Sequence, residues 1–113
     1  MEVLPDIELV VNTKEFNFKN RGDFEIGLKV INTEGHKLYF DMAKTELFVN
    51  GNKNLAWDLT VQNGTIVNFT IGPKSSKTVM WHLGEALFET SGKYKLQLRW
   101  GTYIRTQEVV VSE

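Results

Sequence analysis

Apolar and polar residues alternate with a period of two along most of the chain. Ile7, Leu9 and Val11 stand between Asp6, Glu8 and Asn12. Phe24, Ile26, Leu28 and Val30 alternate with Asp23, Glu25, Gly27 and Lys29. Leu55, Trp57, Leu59 and Val61 alternate with Ala56, Asp58, Thr60 and Gln62, and Tyr94, Leu96, Leu98 and Trp100 with Lys93, Lys95, Gln97 and Arg99. Such a pattern puts an apolar row on one face of a strand and a polar row on the other. It suits antiparallel sheets with one buried and one solvated face.

Shorter segments fill the intervals. Leu38 with Phe40, Leu47 with Val49, the run Val67, Phe69 and Ile71, and the run Val79, Trp81 and Leu83 each predict a strand. The apolar parity changes between Phe40 and Leu47, so Ala43-Lys44 marks a bulge, a bend or a move to the other sheet. Tyr103 to Val111 carries apolar residues on both parities near its end and reads as an edge strand or one partly covered on both sides. Asn20-Arg21-Gly22, Asn32-Thr33-Glu34-Gly35, Asn50-Gly51, Asn63-Gly64, Gly72-Pro73, Ser91-Gly92 and Gly101-Thr102 fall between strands, where Gly, Asn and Pro favour turns. Asn50-Gly51 is a hairpin signal, and the polar run Asn52-Lys53-Asn54 after it suggests a somewhat longer loop. Leu83 to Glu89 is the one stretch expected to hold a turn of helix. The expected fold is an all-β, immunoglobulin-like antiparallel sandwich of about seven to nine strands, with a small barrel as the alternative.

A length of 113 residues fits a single domain spanning residues 1–113. Apolar residues make up 42% of the chain and charged residues 24%, a globular balance that supports a real core. The net charge of -1 comes without a basic stripe, which argues against nucleic acid as a partner. The absence of cysteine removes disulfides, thiolate catalysis, iron–sulfur clusters and cysteine zinc sites. No apolar run reaches the roughly 18 residues of a membrane helix, so no membrane insertion is expected. Met1 to Asp6 has neither the basic start nor the apolar centre of a secretory leader.

The most specific local motif is Ser91-Gly92-Lys93-Tyr94-Lys95-Leu96. In immunoglobulin-like sandwiches, a Tyr near the start of the penultimate strand bonds back to the preceding corner, two residues before a core position. Tyr94 and Leu96 match those two places, with Gly92 at the turn, and the role is structural. Candidate chemistry is sparse. His36 and His82 have no metal-ligand spacing, His36 reading as a solvated turn residue and His82 as the outward neighbour of Trp81. The serines lack the context of a catalytic triad, and the acids are spread singly along strand faces. Neither a calcium loop nor a phosphate-cradling glycine loop is present, so no cofactor and no enzymatic activity are expected. Trp57, Trp81 and Trp100 would suit a carbohydrate platform if exposed, but their apolar parity favours the core. Tyr39, Phe48 and Tyr103 take the outward parity and are candidates for an exposed patch. Asn63-Gly64-Thr65 and Asn68-Phe69-Thr70 match the glycosylation acceptor pattern, which two matches among many Asn do not make significant.

From Phe24 to Trp100 the layout resembles the intracellular proteinase inhibitors of the Bacillus type and related uncharacterised bacterial domains. The shared positions are Asn32-Thr33, Trp57-Asp58, Gly72-Pro73-Lys74-Ser75, Trp81, Leu87-Phe88 and Ser91-Gly92-Lys93-Tyr94. Leu47 to Asn68 looks more like the uncharacterised relatives, and no inhibitory residue is carried over. The resemblance implies a bacterial source, in the cytoplasm or outside it. The expected function is a non-catalytic interaction or accessory domain, a monomer with a protein partner. The alternatives are a proteinase inhibitor and a carbohydrate-binding module. Lys74, Ser75, Ser76 and Lys77 form one candidate interaction loop, and Glu85, Leu87 and Phe88 lie in the other.

Overall fold

In the computed structural model, which describes residues 5–63 and 68–113, most of the alternating segments become strands. The first sheet contains β1 (Asp6–Val11), β3 (Glu25–Asn32) and β8 (Ser75–His82), in the order β1-β3-β8. The second contains β2 (Glu15–Asn17), β5 (Glu46–Val49), β6 (Asn52–Lys53), β9 (Gly92–Trp100) and β10 (Tyr103–Ser112), in the order β2-β10-β9-β5-β6. A smaller pair joins β4 (Leu38–Asp41) to β7 (Asn68–Ile71). Pairing is antiparallel except for β2, which runs parallel to Val110–Ser112 at the end of β10. The orders β1-β3-β8 and β5-β9-β10 correspond to the A-B-E and C-F-G strands of an immunoglobulin-like sandwich.

The inner rows of the two sheets meet in one buried cluster. Ile7, Leu9, Ile26, Leu28, Val30 and Val79 come from the first sheet, and Leu47, Leu96, Leu98, Trp100, Val109 and Val111 from the second. Aromatic groups close the ends. Phe16, Phe24, Phe88 and Tyr94 pack in sequence at one pole, with centroids 4.8–5.4 Å apart. Phe40 contacts both Phe69 and Trp100 at the other, and Trp100 stacks on Tyr103. The expected tyrosine corner is present: the Tyr94 hydroxyl donates to the Thr90 carbonyl at 2.7 Å, and Leu96 is fully buried. The parity change at Ala43-Lys44 is a move between sheets. A 3₁₀ turn at Met42–Lys44 carries the chain from β4, paired with β7, to β5, paired with β9.

Several expectations need correction. Leu55 to Gln62 is not a strand but lies in helix α1 (Leu55–Asn63). Asn54 caps it, its Oδ1 accepting from the Trp57 amide at 2.8 Å, and Asp58 in the first turn favours the helix dipole. Trp57 and Val61, four residues apart, form the buried face, and the Trp57 indole donates to the buried Thr45 hydroxyl at 3.0 Å. Leu55 and Leu59 therefore turn outward. The Asn50-Gly51 loop has two residues and is not longer: Val49 pairs with Asn52, and both loop residues have positive φ (50° and 86°), as a type I′ turn requires. Gly27 shares the outward row of β3 with Glu25 and Lys29 but is not solvated there. It is buried, and a Cβ there would lie 1.7 Å from the Val79 carbonyl oxygen, so its bareness lets β8 close on β3. The strand expected at Val79 begins four residues earlier, at Ser75.

Tyr103 to Val111 is interior at its end, where β2 pairs with it, and flanked by β9 alone over its first half. The short helix expected within Leu83 to Glu89 is α2 (Gly84–Leu87). Met1 to Leu4, the Gly64 turn position with its Thr65, and Val67 at the head of the expected seventh strand lie outside the described residues.

Candidate functional site

The residues singled out in the sequence separate in space. Leu87 and Phe88 are core, Phe88 lying edge-on to Phe24, so they present nothing to a partner; Glu85 is exposed on α2. Lys74 occupies a turn at φ 54°, its amide donating to the Glu34 carbonyl at 3.0 Å and its ammonium to the Thr33 carbonyl. Ser75, Ser76 and Lys77 are the first residues of β8, opposite Asn32, Ile31 and Val30. They belong to a strand rather than a loop, and all four residues from Ser75 to Thr78 are exposed. The proposed aromatic patch does not form. Tyr39 is 62% exposed on β4, Phe48 lies under the Arg99 guanidinium at 4.3 Å on β5, and Tyr103 faces inward against Trp100. Trp57 and Trp100 are buried, and Trp81 is half-buried edge-on to Trp57, which leaves no aromatic platform from these three side chains.

His36 is exposed in a bend, and His82 Nε2 stands 3.6 Å from Glu25 Oε1. Among the described residues neither imidazole bonds to a hydroxyl, and no group of three or more potential metal ligands occurs. No described helix is long and apolar enough to cross a membrane.

The edges of the sheets differ from one another. β2 and β6 are three and two residues long, and short edges resist pairing with other chains. Along β1, the Arg105 guanidinium donates to the Ile7 carbonyl at 2.8 Å and to Asp6 Oδ1 at 3.0 Å. The Gln107 amide donates to the Leu9 carbonyl at 2.9 Å. Both side chains come from the inward parity of the unflanked half of β10, so the second sheet covers the edge of the first. β8 has eight residues paired to β3 on one side. On its other side, no described residue makes a backbone hydrogen bond to it. In an antiparallel pair every second residue turns its N–H and C=O away from the partner strand. β8 therefore carries an outward row of backbone donors and acceptors that no described residue pairs. Trp57 of α1 leans on Trp81 near the end of this edge, and the open part is Ser75 to Thr78.

Asn32 anchors the start of this edge. It is 1% exposed, and its Nδ2 lies 2.8, 3.1 and 3.0 Å from the carbonyls of His36, Ile71 and Gly72. Its Oδ1 accepts the Glu34 amide. A hollow of about 360 Å³ beside it is lined by Ile31, Asn32, Thr33, Lys74, Ser75 and Ser76. Sequence reasoning reached Lys74 to Lys77 through turn composition, but missed that the strand starts at Ser75, since Ser-Ser-Lys-Thr carries no apolar alternation.

No protein-family model and no curated protein matches the chain, so the proteinase-inhibitor resemblance finds no support there. Among solved structures, an immunoglobulin-like protein from Pseudomonas aeruginosa is similar at 16% identity and a TM-score of 0.40, over 98% of this chain and 97% of that one.

Proposed function

We propose that this β-sandwich is a non-catalytic protein-binding domain that takes up an extended segment of a partner as an added strand along β8. The observation that carries this reading is the contrast between edges. β1 is covered by Arg105 and Gln107, β2 and β6 are very short, and the first four residues of the eight-residue β8, Ser75 to Thr78, are left open on their outer side among the described residues. Strand addition draws affinity from main-chain hydrogen bonds and specificity from alternate side chains. A long open edge also invites aggregation, and native proteins usually blunt it. Leaving it open where the opposite edge is covered supports a use for it.

The test is selection of displayed random octapeptides against the chain, with the site mapped by amide chemical shifts. Enriched peptides are expected to move Ser75 to Val79. Ser76→Pro and Lys77→Pro refine the result. One of the two removes an N–H that bonds β3, and the other removes one that faces outward. The first is expected to destabilise the fold, and the second to leave it intact and abolish binding. Failure to enrich any peptide would overturn the reading. So would enrichment of peptides that move α1 around Leu55 and Leu59 instead.

A further inference from the structure

We infer that the segment added to β8 is acidic, an inference that rests on the strand-addition reading above. The chain as a whole is nearly neutral, at -1, yet lysines gather around the open half of this edge. Lys77 lies on the edge itself, its ammonium 4.8 Å from the centre of the Phe69 ring. Lys74 immediately precedes the strand. Lys29 is the register partner of Thr78 on β3, one strand further in, and lies opposite Glu8 of β1 on its other side. Lys37 precedes β4 in the corner where the Asn32 amide donates to the His36, Ile71 and Gly72 carbonyls. None of these four lysines makes an ion pair with a described residue. The acid in this corner is Glu34, whose main chain accepts the Lys74 amide.

The lysines also alternate in direction. Lys77 takes the inward parity of β8, shared with Val79 and Trp81, whereas Lys29 takes the outward parity of β3. An added strand alternates its side chains between the same two faces. A carboxylate on the inward parity would therefore find Lys77, and one on the outward parity would reach Lys29, which Glu8 flanks on the far side. The hollow beside Asn32 adds Ser75, Ser76 and Thr33 next to Lys74, so a side chain entering it meets hydroxyls as well as a charge. At the far end the pattern changes. His82 is matched to Glu25, and the Trp57–Trp81 contact closes the edge, so the acidic positions belong opposite Ser75 to Thr78. Charge alone would equally attract a nucleic acid or an anionic lipid surface. The open main-chain row favours a peptide, because neither of the others supplies backbone donors and acceptors to fill it.

Three capped octapeptides separate the possibilities: alternating Glu and Val, the same with Gln for Glu, and the same with Lys for Glu. Each is titrated into the isotopically labelled chain at low and high salt. The Glu peptide is expected to bind about tenfold more tightly than the Gln peptide at low salt, with the advantage fading as salt rises. The double variant Lys74→Glu, Lys77→Glu changes exposed side chains and is expected to fold, and to prefer the Lys peptide. Equal affinity for the Glu and Gln peptides, with β8 shifted in both, would overturn the acidic preference and leave strand addition standing. No shift of β8 by any of the three would overturn both. Shifts of β8 that grow with protein concentration in the absence of peptide would make a second copy of this chain the occupant, overturning the acidic partner. A single-stranded oligonucleotide that displaces the Glu peptide at equal affinity would reduce the site to charge alone and overturn it as well.

Discussion

At the scale of single residues, two side chains hold the ends of the sandwich by hydrogen bonds of very different reach. Tyr94 bonds to Thr90, four residues back, in partly exposed surroundings. Tyr94→Phe is expected to cost about 1 kcal/mol in urea unfolding, the net worth of one such bond, with no change in cooperativity. Asn32 bonds across 39 and 40 residues from a fully buried position. Asn32→Asp puts a carboxylate against the carbonyls that the amide now serves. The expected loss is about 3 kcal/mol or more, larger than for Asn32→Ala, because an unpaired charge is then buried. The same assay compares them, and equal losses for the two substitutions would contradict the clamp. The difference in reach also explains what was legible. The tyrosine corner lies within a six-residue motif. The Asn32 clamp joins segments that only the fold brings together, and in the sequence Asn32 is one more turn residue. Lys53 is a third case, a cation bound between Glu46 at 3.2 Å and Asp58 at 3.5 Å. The hydrogen bond it donates to Glu46, then the charge of Asp58, raises its pKa above the ordinary lysine range. A raised folded pKa means that the pair's contribution is complete at neutral pH and is lost only as pH climbs through that raised value.

At the scale of elements, α1 shows where period-two reading fails. Residues four apart share a parity, so Leu55, Trp57, Leu59 and Val61 fit a strand and two helical i, i+4 pairs equally well over so short a span. What decides is local. Asn54 supplies a cap, and Leu, Ala and Gln favour the helix where β-branched residues would favour the strand. Of the two pairs, Trp57 and Val61 face the core, while Leu55 and Leu59 are 72% and 64% exposed. Asn54→Ala is expected to cost about 1 kcal/mol through the lost cap. The double variant Leu55→Gln, Leu59→Gln is expected to stay within about 0.5 kcal/mol of the parent. Thermal unfolding of both checks the assignment, since a strand would reverse the order by burying one leucine row. The strands of the two sheets were legible for the opposite reason. Their alternation persists over enough residues, as in Ile26 to Val30 and Leu96 to Trp100, and turn residues bracket it on both sides. The start of β8 was not legible because an exposed edge needs no apolar row, and Ser-Ser-Lys-Thr has none.

At the scale of the whole molecule, the sandwich treats its flanks unequally. Arg105 and Gln107 reach from the second sheet to the β1 carbonyls, and no comparable cover reaches β8 from the described residues. The double variant Arg105→Ala, Gln107→Ala is expected to uncover the β1 edge. The chain would then self-associate more strongly with rising concentration, which sedimentation velocity detects; a variant as monodisperse as its parent would show that these side chains do not guard the edge. The central claim, that β8 presents a free row of main-chain groups, is tested most directly by residue-resolved amide hydrogen exchange across Ser75 to Val79. In the free protein, alternate amides are expected to exchange rapidly while those bonded to β3 stay protected, and addition of the Glu-containing peptide is expected to slow the fast set. Uniform protection of this segment in the free protein would mean that the edge is already covered, and would contradict the account.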